Sequence, residues 1–121
     1  MTPLTGQELH NLAMNIVGEA LQKELQWEFL LVNSELKRDP QFVCVDKNNQ
    51  KYFIIVRAVP YGDDPTQYDM VFMEVVRKHA ERHNARTFYA GVGLSNVTDE
   101  TLPLYKDEPY KLNFQGLIEI C

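Results

Sequence analysis

Phe42-Val43-Cys44-Val45, then Asp46-Lys47-Asn48-Asn49-Gln50, then Tyr52-Phe53-Ile54-Ile55-Val56: two apolar runs around a short polar one. The second run is rich in β-branched and aromatic residues, which suit a half-buried pleated surface. Two such runs around a polar loop predict a β-hairpin. Upstream, Trp27, Phe29 and Leu31 alternate with Glu28, Leu30 and Val32, a period of two that predicts a first strand, largely buried. Before it, Leu9, Leu12, Ala13, Ile16, Val17, Ala20 and Leu21 recur at helical spacing behind a Thr5–Glu8 capping box, which places a helix at about 5–25.

Downstream, Pro60-Tyr61-Gly62-Asp63-Asp64-Pro65 is loop chemistry, with Asp64 as N-cap and Pro65 as first helical residue. Tyr68, Val71, Phe72, Val75, Val76, His79 and Ala80 predict a second helix at about 65–84, with Asn84 at its C-terminal cap. Thr87 to Leu94 reads as a fourth strand whose Gly91 and Gly93 suggest close backbone approach or a bulge. Residues 95–109 read as loop. Leu112-Asn113-Phe114 and Leu117 to Ile120 flank Gln115-Gly116, compatible with a terminal hairpin. The expected fold class is α/β (α+β): an αβββαβ core at about 5–94, a mixed sheet flanked by helices, and a small C-terminal extension, all in one domain, 1–121.

At 121 residues a single core suffices without a disulfide or metal staple. Lys plus Arg number 12 against 17 Asp plus Glu, a net charge of −5, which disfavours a protein built mainly to grip phosphate backbones. The two cysteines, Cys44 and Cys121, form no CxxC or Cys/His array, so a structural zinc is not expected and a reducing compartment is. No signal-like segment opens the chain and no apolar run approaches the roughly 20 residues that span a bilayer. The expectation is a soluble cytoplasmic chain that makes no membrane contact.

Gly18-Glu19-Ala20, followed by Leu25, Phe29 to Val32 and Asn33, together with Phe53-Ile54-Ile55-Val56-Arg57, resembles the restriction-endonuclease-like, or PD-(D/E)XK, superfamily across about residues 9–94. The resemblance implies a helix bearing Gly-Glu, a strand ending near an Asn, and a third strand of the form apolar, apolar, Glu, Val, Lys or Arg. It also implies two carboxylates placing one or two Mg²⁺ ions that polarise a phosphodiester. Laid on that pattern without gaps, Ile55 stands at the third-strand carboxylate and Phe42, or a residue near it, at the second-strand Asp. Arg57 stands at the cation and Glu19 at the first-helix acid. Mg²⁺ demands oxygen ligands, which apolar side chains do not supply. The resemblance therefore implies a degenerate member: no catalytic residues and no cofactor, acting through an unidentified protein partner or by self-association.

Two other readings stay open. A divergent Mg²⁺-dependent nuclease would use Glu19, Asp39 or Asp46, and Arg57, with Asp63 and Asp64 as further acids nearby. A non-catalytic nucleic-acid binder would use Arg57, Lys47 and Lys51, with Trp27, Tyr52 or Tyr61 stacking bases. His79 and His83, four apart on the second helix, are weak metal candidates lacking a third ligand. In the plainer reading Arg57 pairs with Glu19 or Asp63 and the aromatics are core or rim; Glu19, beside the apolar helical stripe, is expected half buried with a perturbed pKa, a mark of site candidates that structural ion pairs also produce.

Overall fold

A computed structural model describes residues 2–60 and 62–121. Tyr61, offered above as a stacking residue, lies outside them. The order is α1 (Gly6–Lys23), β1 (Glu28–Val32), β2 (Phe42–Val45), β3 (Lys51–Pro60), α2 (Met70–Glu81), β4 (Ala85–Asn96), β5 (Tyr110–Phe114) and β6 (Ile118–Ile120). The strands form one mixed sheet in the order β1-β2-β3-β4-β5, with β6 also on β4. β1–β2 and β2–β3 are antiparallel, whereas β3 and β4 are parallel and joined through α2.

Local chemistry explains the elements that the sequence predicts well. Thr5 accepts from the Glu8 backbone N–H while Glu8 returns a bond to Thr5 N–H, so both ends of the capping box are made. In the β2–β3 turn the Asp46 carboxylate accepts from the backbone N–H groups of Asn48 and Gln50, and Asn49 adopts φ 64°, a left-handed value Asn tolerates.

Alternation along β3 and β4 then builds two cores. Tyr52, Ile54, Val56, Ala90, Val92 and Leu94 meet α1 on one face. Ile55 and Tyr89 meet Met73 and Val76 of α2 on the other, with Ile120. Cys44 is fully buried on the α1 face and burial pushes its thiol pKa up to about 12, whereas Cys121 is exposed. A thiol-specific chromophoric reagent at pH 8 is therefore expected to modify one cysteine quickly and the second only at the global unfolding rate. Fast modification of both thiols would contradict the packing around Cys44.

Four sequence expectations change, the simplest being that α2 closes at Glu81 with Arg82, not Asn84, at its C-terminal cap. The second helix starts at Met70, not near 65, and its N-cap is Asp69, which accepts from Phe72 N–H. Asp64 instead binds the backbone N–H and hydroxyl of Thr66, tightening a turn that lays the Pro65 carbonyl across Gly91. Several acidic residues could cap; the crossing over the sheet decides which one does. The first strand is mostly exposed rather than largely buried, because β1 lies at the end of the sheet, where a neighbour covers one edge only. The C-terminal runs do not pair as a hairpin. β5 and β6 both lie antiparallel on β4, one beside residues 92–96 and the other beside 87–89, as one interrupted strand. The long twelve-residue β4 offers both runs an edge, which removes any need for them to fold on each other.

Candidate functional site

Where β2 begins, the chain before it crosses β3 at Arg57. The Asp39 carboxylate takes both arms of the guanidinium, Oδ1 from Nη1 at 2.8 Å and Oδ2 from Nη2 at 3.0 Å. This is the fork geometry that makes Arg–carboxylate pairs strong and directional. Side-chain exposure is 18% for Asp39 and 29% for Arg57, so the pair is largely shielded. Gln41 completes the arrangement: its Nε2 donates to Asp39 Oδ1 at 2.7 Å and to the Arg38 carbonyl, and its Oε1 accepts from Val56 N–H at 2.8 Å. Gln41 is wholly buried, and this saturation of its amide is what permits that burial. Arg57 also lies 5.5 Å over the Phe72 ring of α2, which ties the cluster to the opposite helix.

Burial acts to raise the Asp39 pKa, but the hydrogen bonds from Arg57 and Gln41 and the charge of Arg57 outweigh it and hold the carboxyl below its usual range. His10 of α1 is almost fully buried, and its Nε2 has no hydrogen-bond partner. Its pKa is lowered, first by burial and then by the Arg57 charge, against an opposing pull from Asp39. It is held as the neutral imidazole.

The remaining sequence candidates lie apart. Glu19 is not half buried: its side chain is 62% exposed and bridges to Lys23 one turn on. Asp46 accepts from the Tyr52 hydroxyl at 2.7 Å, at the turn end of β3. Tyr52 and Arg57 are five residues apart on that strand, about 17 Å at a strand's rise per residue, so Asp46 and Asp39 do not share one ion. Lys51 lies farther still from Arg57, and the three cations of the nucleic-acid reading do not form a patch. Arg57 pairs with Asp39 rather than with Glu19 or Asp63. Trp27 and Tyr52 stack on each other at 3.9 Å beside Phe88, an internal packing role. His79 and His83 pack around Phe53, and among the described residues no three His, Cys, Asp or Glu side chains are placed to hold a metal.

The magnesium implied by the resemblance does not fit these residues. Ile55 is fully buried in the α2-facing core and Phe42 in the α1-facing one, where it packs under Gly18. Among the described residues only Asp39 brings a carboxylate into a salt bridge with Arg57, and both of its oxygens are already committed. One oxygen-bearing acid whose lone pairs are spent on a guanidinium and an amide does not make a divalent-cation site. The arrangement instead clamps the entry to β2 onto β3.

Sequence reasoning missed Gln41 and His10. Nothing in Pro40-Gln41-Phe42 marks the glutamine, whose role exists only once β3 is beside it. His10 was detectable, since it stands three and seven residues before Ala13 and Val17 on the buried stripe of α1.

No curated protein and no solved structure matches the chain. One family model does, over residues 7–120, which is almost the whole chain and all of the sheet. The protein belongs to the family described as a domain of unknown function, DUF8840.

Proposed function

We propose that this chain is a non-catalytic interaction or regulatory domain, cytoplasmic and self-associating, on a restriction-endonuclease-like scaffold whose metal-binding carboxylates have been lost. The observation that carries the reading is the state of the acid beside Arg57: Asp39 is bound at both oxygens by Arg57 and Gln41. Ile55, where the resemblance expects a second acid, is buried hydrocarbon. A cation that should stand free beside a reacting phosphate is here spent in an internal pair. The sheet order and the parallel β3–β4 pairing are compatible with the scaffold, and the net charge of −5 favours a protein partner over nucleic acid.

Calorimetric titration with millimolar Mn²⁺ is expected to give no heat above dilution. DNA and RNA incubated with the protein and Mg²⁺ are expected to stay intact. Metal-dependent cleavage that disappears in Asp39→Ala or Glu19→Ala overturns the reading in favour of a divergent nuclease. Salt-sensitive nucleic-acid binding without cleavage overturns it in favour of the third reading.

A further inference from the structure

The first strand has an unfinished side. β1 is hydrogen-bonded to β2 along one edge and, among the described residues, to no strand along the other. Open edges carry rows of backbone donors and acceptors, and proteins that leave them unpaired in solution usually blunt them with lysine or proline inside the strand. β1 contains neither, and its one irregularity is a register shift against β2 between Phe29 and Leu31. It carries Leu30, Leu31 and Val32 at 52%, 50% and 52% exposure, followed by half-exposed Leu36. The segment beyond it is not loose: the Gln7 amide donates to the Ser34 carbonyl at 2.6 Å and accepts from Leu36 N–H at 2.9 Å. The edge is therefore presented on a fixed frame. Beside it runs a groove of about 570 Å³ between α1 and the first two strands, with Gly18, Phe29, Val32 and Phe42 in its lining and room for added side chains.

We propose that β1 is a dimer seam, at which a second copy of this chain pairs its own β1 antiparallel to the first and continues the sheet. This inference rests on the self-association in the reading above and gives it a location. The charge distribution selects the second copy. Glu28 opens the strand, whereas Lys37 and Arg38 follow its end. Arg38 is partly answered by Glu35, which leaves Lys37. A two-fold axis through an antiparallel pair places the acidic end of each copy against the basic end of the other, and the two apolar runs face each other between them. A two-fold interface must be self-complementary, and this edge is. Met70, Val71 and Val75 on α2 are more exposed but offer no open backbone, and β5, at the opposite end of the sheet, exposes Tyr110 and Leu112 but carries a lysine within the strand.

Light scattering on the eluting 121-residue chain is expected to give twice its 14.1 kDa mass. Leu31→Lys, which puts an edge-blunting charge at an exposed position, is expected to return the mass to one chain with the circular dichroism of the folded protein. Val71→Lys is expected to remain a dimer. A wild type that stays monomeric near millimolar concentration overturns the proposal, as does a dimer that survives Leu31→Lys or is lost in Val71→Lys. Should Leu31→Lys fail to fold, amide exchange on the wild type decides. Protection at residues 28–32 that rises with protein concentration supports the seam, and concentration-independent exchange there overturns it. These outcomes are separate from the metal and cleavage assays, so the seam and the non-catalytic reading fail independently.

Discussion

Replacing Gly91 by alanine is expected to destabilise this protein strongly. A Cβ built on Gly91 lies 2.1 Å from the Pro65 carbonyl oxygen and 3.1 Å from the Tyr89 ring. The first contact is with backbone, so no rotamer change relieves it. The 64–69 segment must lift off the sheet, which strains the Asp64–Thr66 turn and the Tyr68–Tyr89 contact that lead into α2. Over-packing a well-filled site costs about 1–3 kcal/mol, and a backbone clash belongs at the top of that range. A loss of about 3 kcal/mol corresponds to a fall in Tm of roughly 10 °C for a chain this long. Urea unfolding of Gly91→Ala against wild type measures it. A difference under about 1 kcal/mol would show that the crossing segment yields easily, contrary to over-packing of a tight site.

Arg57→Met is the second large effect, and its dependence on pH identifies its cause. Methionine keeps much of the side-chain volume and removes the charge. Asp39 is then left mostly buried, with Gln41 as its remaining side-chain partner. Removing one member of a shielded pair leaves an uncompensated charge, which costs about 3–5 kcal/mol when fully buried and less where water still reaches it, so about 2 kcal/mol is expected at neutral pH.

Asp39 has a lowered pKa in the folded state. The unfolded state therefore binds the proton more readily, and the stabilisation is present above the ordinary aspartate value of 3.8 and is lost as pH falls through the folded value. In Arg57→Met that contribution is gone, so the gap between variant and wild type is expected to narrow as pH falls below 3.8. Denaturation at a series of pH values tests it. A gap that stays constant into acid would mean that packing on Phe72, not the ion pair, carries the effect.

How much of this was legible in the residues varies element by element, for physical reasons. The hairpin at 42–56 and the start of α1 were legible because their information is local. Alternation, a polar turn and a capping box act within a few residues of themselves. The close approach suggested at Gly91 was legible as well, although the partner, Pro65, is not in its vicinity in sequence. Asp39 was among the candidate acids, but its engagement with Arg57 was not foreseen, because eighteen residues separate them and only the β2–β3 register brings them together.

The sequence by itself determined an α/β chain with one mixed sheet between two helices, and the absence of a carboxylate at Ile55, because apolar periodicity and residue type are properties of the chain. Tertiary structure alone decided that Asp69 rather than Asp64 caps α2, that the C-terminal runs share the edge of β4, and that β1 keeps an open side. It also decided that Asp39, the acid beside Arg57, is spent. Each of those outcomes turns on which of several chemically equivalent partners is within reach, and distance between residues remote in sequence exists only after the sheet has formed.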